Sequence, residues 1–372
     1  MAKQLNLNYR TSASLILLAK DKLQPKGTAD YKTLLFNRHE KSTFMPNSAV
    51  FPGGVSETAD ESPLWYQHFQ KFGVTKEQLD TAYAFKGERA GIYKNENPNL
   101  LKRELSLRIT ALRETFEEVG IMLCLDSNSL RESHNKVYGN GKEDFDRQYW
   151  QNVVHKDASK FLTLCEELKI VPDLWSLHEW SNWFTPSTFK KRFDTAFFLV
   201  ALKNVPELLI ESSEVKDYAV SKYSTYAEVK YIFYSKQWKT PLDFLKAYYR
   251  KECWLPPPQI YELSRCCNFN ELSQLIAYVR QHANKGSIVT LPVLYKCTDG
   301  QVSLLPGDQM YPPDPYLSDG AIATNKSIEA FRSNVQHLHR IEFFGSHDAV
   351  IRMNIEPFVG HVRPVNANPR RE

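Results

Sequence analysis

Two periods of hydrophobic and polar positions run through this chain, one of strands and one of helices. Residues 11–20 (TSASLILLAK) form a nearly unbroken apolar run of strand length. Tyr31–Asn37 (YKTLLFN) predicts a second strand, after a polar turn at Asp21–Asp30. The segment 44–54, FMPNSAVFPGG, breaks the pattern, because its prolines and its Gly-Gly pair fix a loop. Residues 55–104 are polar and mixed, with helical fragments and a Gly/Asn/Pro stretch at Gly87–Asn99, the profile of an insertion. From Glu104 to Val119 a helix is predicted: Ile109, Leu112, Phe116 and Val119 recur at helical spacing, and Gly120 stands where a C-terminal cap belongs. Residues 121–180 read as helical around a loop at Asn135–Gly141, and 193–202 (FDTAFFLVAL) as a strand. Helical spacing returns over Pro241–Ala283, broken by Pro256–Pro258, and residues 287–305 predict a hairpin turning at Asp299-Gly300. The last dozen residues are polar and predicted to be loose. No repeat is evident.

The 372 residues suit one elaborated domain or two modest ones. An aromatic content of 13% supplies apolar surface that a disordered chain lacks. Lys and Arg number 47 against 43 Asp and Glu, without a long basic run, so a nucleic-acid polymer is not an expected partner. The longest apolar stretches are strand-sized, far below the roughly 18 residues of a membrane span. Cys124, Cys165, Cys253, Cys266, Cys267 and Cys297 show no regular spacing, which predicts free thiols in a reducing compartment. Lys3 and Arg10 precede the first acid, Asp21, in faint likeness to a transit peptide, but the first strand is the better reading of residues 10–20.

The densest chemistry is at Arg113-Glu114-Thr115-Phe116-Glu117-Glu118-Val119-Gly120. On a helix Glu114 lies three and four residues before Glu117 and Glu118, so the three carboxylates share one face. Such like-charge pairs are unfavourable by about 0.2–0.5 kcal/mol each, and acids near a helix C-terminus oppose its dipole. The cluster is either a solvated acidic face or a site for a divalent cation such as Mg²⁺, which takes carboxylate oxygens and suits substrate phosphates. Arg113, four residues before Glu117, is placed to hold that carboxylate in position. Elsewhere the signals are weak. His337 and His339 lack companion ligands, Cys266-Cys267 reads as core, and no G-x-S-x-G, P-loop or G-x-G-x-x-G occurs.

With Phe51-Pro52-Gly53-Gly54 and Asp60 upstream, this run resembles the Nudix box, G-x5-E-x7-R-E-U-x-E-E-x-G-U with U apolar. Three departures stand out. Asp60 replaces a glutamate, Thr115 holds an apolar position, and 52 residues (61–112) separate Asp60 from Arg113 where the pattern has seven. The box survives only if residues 61–104 loop out and the helix re-enters in register, which loop-closure entropy permits. WFTP and KRFDTAFF (183–198), WLPPPQIYE (254–262) and GHVRP (360–364) extend the resemblance to the coenzyme A diphosphatase branch of the family. Leu34-Leu35-Phe36-Asn37-Arg38 keeps only the leucines and the arginine of that branch's upstream motif.

The resemblance implies an α/β fold, an α/β/α sandwich around a mixed β-sheet with helical C-terminal additions. The expected Nudix domain is 8–240, containing the insertion 61–104, and a helical and hairpin extension at 241–372 packs on it. The implied reaction is metal-dependent hydrolysis of the diphosphate in coenzyme A or acyl-coenzyme A, giving 4′-phosphopantetheine (or its acyl form) and adenosine 3′,5′-bisphosphate. Glu114, Glu117 and Glu118 are then expected to hold Mg²⁺ or Mn²⁺, with the Gly54 carbonyl as a further ligand, and to form the catalytic set with Arg113. Glu211 and Glu214 are outside candidates. Arg38, Lys190, Lys191 and Arg192 are expected to bind substrate phosphates, or else form a solvated turn. Aromatic residues at 183–189 either fill the core or stack on adenine. Two other readings remain: a Nudix hydrolase of a nucleotide sugar, ADP-ribose or an mRNA cap, and a non-catalytic nucleotide-binding protein, against which the intact acids argue. Relatives in this branch are peroxisomal and end in a Ser-Lys-Leu-like tripeptide. This sequence ends Arg370-Arg371-Glu372, which leaves a mitochondrial or cytoplasmic location open. Oligomeric state is not legible.

Overall fold

The strand predicted at 11–20 runs Arg10–Lys20 and forms the spine of a seven-stranded mixed sheet. Its residues Ser12 to Ala19 are all buried, as expected of a strand covered on both faces. It pairs in parallel with Phe193–Leu202, setting Ala13 opposite Ala196, and antiparallel with Tyr31–Leu34. Across the sheet the order is Trp238–Lys239, Tyr31–Leu34, Arg10–Lys20, Phe193–Leu202, His178–Phe184 and Val289–Thr290, while Gly53–Val55 pairs with the first half of Arg10–Lys20. The computed structural model describes the chain except residues 1–8, 24, 26, 39–41, 43, 84, 86–88, 95, 96, 132–136, 210–236, 319, 359, 360 and 372. Glu211 and Glu214 lie outside the described residues.

Side-chain alternation divides the sheet between two cores. Leu15, Leu17, Phe198 and Val200 face the long helix Arg103–Val119 and the helices Leu64–Lys71, Arg147–Lys156 and Lys160–Glu167. Ile16, Leu18, Phe197 and Leu199 face Pro241–Tyr249, Pro257–Cys266 and Leu272–His282. The result is the expected α/β/α sandwich. The insertion belongs to the first core: Trp65, Phe69, Leu79, Ile92 and Leu101 are buried in it. Its ends meet, because the Leu101 N–H donates to the Glu61 carbonyl at 2.8 Å and Arg103 pairs with the Glu61 carboxylate. The chain therefore leaves the box and returns to it at one place.

The stretch read as helical also holds strands, two of them short (Gly141–Lys142 and Val171–Pro172) and two longer. Met122–Leu125 is buried throughout, so its apolar run shows no alternation, and six of the seven residues of His178–Phe184 are buried. The hairpin at 287–305 is present as Val293–Cys297 and Gly300–Leu304, but it is part of a five-stranded sheet completed by Ile322–Ala323, His339–Gly345 and Asp348–Met353. His339 is structural: it bonds the Pro306 carbonyl at 2.6 Å and the Tyr261 hydroxyl at 2.8 Å, tying this sheet to the Pro257–Cys266 helix. Among the described residues no helix is long and apolar enough to cross a membrane.

Candidate active site

The Arg103–Val119 helix ends at Gly120, whose backbone is left-handed (φ 70°), and its last turns face the Gly53-Gly54 segment. That segment is fixed from beneath by the first strand. Leu15 N–H and Ser14 Oγ–H both donate to the Pro52 carbonyl, at 2.8 and 2.9 Å. Gly53 N–H donates to Glu118 Oε2 at 2.9 Å. At Gly54 a Cβ would lie 2.5 Å from the Glu114 carboxylate, so any larger residue there would displace that acid. Two of the three predicted acids thus meet the glycine pair.

Glu117 is held differently. Arg113 Nη1 donates to Glu117 Oε1 at 2.6 Å, the contact the i, i+4 spacing predicts. The same guanidinium donates from Nε and Nη2 to both oxygens of Asp60, at 2.8 and 2.9 Å, and from Nη2 to the Val55 carbonyl at 3.0 Å. Asp60 also accepts from Thr110 Oγ1 at 2.8 Å and Glu57 N–H at 3.0 Å. The shorter acid still reaches its arginine, and the two halves of the box are in register despite the insertion. Thr115, the polar residue in an apolar place, satisfies its hydroxyl on the Ala111 carbonyl at 2.7 Å.

Charge is crowded here. Burial, with the charges of Glu117 and Asp60, pushes the Glu114 carboxyl up to about 7 against the opposing pull of Arg113. Burial raises Glu117 as well. Burial pulls Arg113 downward, but its bonds to Asp60 and the surrounding carboxylates outweigh this and hold it protonated.

Residues 9–266 match the family described as the NUDT19 Nudix domain, and residues 294–354 match the NUDT19 C-terminal domain. The chain belongs to the Nudix hydrolase family. The Xenopus laevis protein named acyl-coenzyme A diphosphatase NUDT19 is 32% identical over 358 residues, covering 92% of this chain and 88% of that protein. The Homo sapiens protein of the same name is 31% identical over 382 residues, covering 98% and 96%. Among solved structures, a Nudix hydrolase from Alicyclobacillus acidocaldarius matches with a TM-score of 0.50 at 19% identity, over 73% of this chain and 96% of that one, a likeness of fold.

As a Nudix hydrolase the chain is an enzyme acting on a small molecule, and such hydrolases in general need divalent metal ions. The side chains present fit one in kind. Glu114, Glu117, Glu118 and the Gly54 carbonyl offer only hard oxygen donors, and a cation among them would favour the charged form of Glu114, which burial first and the nearby carboxylates second disfavour. Among the described residues no three acidic, His or Cys side chains already stand as a closed cage. Glu118 is drawn to Gly53, and Glu117 to Arg113 and to His155 Nδ1, 3.5 Å away.

Beside the glycine pair opens a cleft of about 690 Å³, lined by Arg38, Gly53, Gly54, Phe193 and Thr195 and closed by Trp254 and Phe343 from later segments. Of the four cations expected to bind phosphate, Arg38 alone is among the residues that line the cleft. Lys190 and Lys191 are exposed on the bend after Phe189, and Arg192 donates from Nε to the Thr185 carbonyl at 3.0 Å beneath the Phe184 ring. Trp183 is a core residue. Its indole and that of Trp180 donate to the two oxygens of the fully buried Glu262, at 2.7 and 2.6 Å. Sequence reasoning missed Thr110, His155 and Glu262. Only Thr110, three residues before Arg113 on the same helix face, carried a signal in its spacing.

Proposed function

We propose that this enzyme hydrolyses the diphosphate bridge of coenzyme A and acyl-coenzyme A, releasing 4′-phosphopantetheine or its acyl form and adenosine 3′,5′-bisphosphate. The observation that carries the reading is that the two halves of the box stand in register, with Glu114 and Glu118 against Gly53-Gly54, at the side of a cleft whose further walls are mostly apolar. Such a cleft suits a substrate with a charged bridge and a long, weakly polar arm. Curated relatives aligned over nearly the whole chain bear the name acyl-coenzyme A diphosphatase.

In this reading Glu114, Glu117, Glu118 and the Gly54 carbonyl would hold Mg²⁺ or Mn²⁺, which would supply positive charge at the diphosphate and lower the pKa of a water. Arg113 keeps Glu117 in one rotamer while Asp60 keeps Arg113 in place. Gly53 N–H fixes the Glu118 carboxylate, and Gly54 lets the backbone approach without a side chain. Arg38 stands on the cleft wall as the cation nearest in kind to a phosphate partner. One water adds across the P–O–P bridge: its oxygen joins one phosphorus, the bridging oxygen leaves with the other, and a proton passes to solvent.

The test is mass spectrometry of products from coenzyme A, an acyl-coenzyme A, ADP-ribose and a nucleotide sugar, with Mg²⁺, Mn²⁺ or EDTA, in ¹⁸O-water. Preferential cleavage of the coenzyme A substrates, abolished by EDTA, is expected. Cleavage of ADP-ribose or a nucleotide sugar alone would overturn the reading.

A further inference from the structure

One wall of the cleft comes from the C-terminal sheet. Leu294 lies opposite Ser303, Gln301 lies opposite Phe343, and Gln301 and Ser303 are two residues apart, so all four share a face. The other face carries Val293, Val302 and Leu304 and is sealed in a small core of its own with Ile328 and Phe331. The Leu294–Phe343 face is the one that lines the cleft, together with Trp254 from the WLPPPQIYE segment. Leu294, Phe343 and Trp254 are only partly buried, although each is large and apolar.

Two buried polar side chains belong to this wall. Ser303 is 1% exposed and Gln259 is 7% exposed, both line the cleft, and neither Ser303 Oγ nor Gln259 Oε1 has a hydrogen-bond partner among the described residues. A buried hydroxyl and a buried amide oxygen left unpaired are unfavourable in a folded chain unless something else completes them. Their chemistry is specific: a hydroxyl donates to a carbonyl, and an amide oxygen accepts from an N–H. An apolar chain interrupted by secondary amides would satisfy both while covering the exposed rings.

We propose that this face is the subsite for the amide-bearing arm and acyl chain of an acyl-coenzyme A. Ser303 and Gln259 bond the arm's amides, and Phe343, Leu294 and Trp254 pack the chain. The inference rests on the function proposed above and adds that Leu294, Ser303 and Phe343 of the C-terminal domain, with Trp254 and Gln259, select the substrate. It assigns specificity to residues 254 to 343, well beyond the end of the box at Gly120.

The experiment compares kcat/KM for free coenzyme A and lauroyl-coenzyme A, with melting curves, in Phe343→Ala, Phe343→Leu and Ser303→Ala enzymes. Phe343→Ala should lower kcat/KM for lauroyl-coenzyme A by about tenfold more than for coenzyme A, chiefly through KM, and Phe343→Leu should recover most of it. Ser303→Ala removes an unpaired buried hydroxyl, so a merely structural role predicts an equal or higher melting temperature and no change in KM. The subsite predicts a KM about fivefold higher for both substrates at an unchanged melting temperature. If wild-type enzyme cleaves both substrates and the variants leave KM and the substrate ratio unchanged, the subsite is refuted while the function stands. If wild-type enzyme leaves both intact, function and subsite fall together.

Discussion

Arg113 grips Asp60 through two parallel hydrogen bonds, Nε to Oδ1 at 2.8 Å and Nη2 to Oδ2 at 2.9 Å, although 53 positions separate the two residues. Their side chains are 3% and 1% exposed, so the pair is a buried lock between the flanks of the insertion. Breaking a buried pair typically costs about 3–5 kcal/mol, and Arg113 without Asp60 would keep Glu117 but lose the acceptors of its Nε and part of its Nη2. Asp60→Ala should lose about that much unfolding free energy in urea, and Asp60→Asn, which keeps one acceptor oxygen, should lose less. A loss below about 1 kcal/mol for Asp60→Ala would mean that the two halves of the box are aligned by other contacts.

Glu117→Gln separates folding from chemistry. The amide keeps the length of the side chain and one acceptor for Arg113 Nη1, now 2.6 Å from Glu117 Oε1, so the melting curve should stay close to wild type. Its charge is gone, and with it the electrostatic purpose proposed for the residue. With saturating Mg²⁺, kcat should fall by about 10²-fold or more. Wild-type turnover by a folded Glu117→Gln enzyme would remove this residue from the proposed metal set.

The insertion is predicted to be integral to the domain. Trp65 is 1% exposed, donates from its indole to the Ala59 carbonyl at 3.0 Å, and packs 6.0 Å from the Phe161 ring. Trp65→Ala should therefore cost about 3–5 kcal/mol, the range for emptying a large aromatic site. An insertion that is a mere appendage would tolerate the change, and denaturation of the two proteins side by side decides the matter.

How much of this was legible depended on range. The Arg10–Lys20 strand and the Arg103–Val119 helix were, because each carries its own period over more than ten residues. The box was legible because Glu114, Glu117, Glu118 and Arg113 are local and their spacing is fixed by one helix. Asp60 was found by its motif position, but that it is clasped by Arg113 needed the insertion to close at Glu61 and Leu101. Met122–Leu125 was lost because burial on both sides erases alternation. Glu262 could not be read at all: its partners Trp180 and Trp183 lie 82 and 79 positions away, and nothing local marks a carboxylate as the acceptor of two indoles. The cleft failed for the same reason, since Arg38, Phe193, Trp254 and Phe343 come from four separate stretches.

The pH dependence of stability should carry the signature of Asp194. This residue of the KRFDTAFF segment is 4% exposed, and Asn182 Nδ2 donates to its Oδ1 at 2.7 Å. Burial pushes its carboxyl up to about 6, and the Asn182 bond offsets only part of that. In the unfolded chain an aspartate titrates near 3.9. Between those values the native state holds a proton that the unfolded state has already lost, so stability falls as pH rises from about 4 to about 6 and is level above. The sign is opposite to that of a salt-bridged acid, whose contribution is lost as pH falls. At about 1.4 kcal/mol per pH unit, the difference is on the order of 2–3 kcal/mol. Asp194→Asn keeps the size and a hydrogen-bonding oxygen for Asn182 but cannot ionise. The variant should therefore gain on the wild type steadily from pH 4 to pH 6, and the gap in urea-unfolding free energy should then stay constant to pH 8. Parallel curves over the whole interval would mean that Asp194 is charged in the folded protein at pH 4, and that its burial is compensated by contacts other than Asn182.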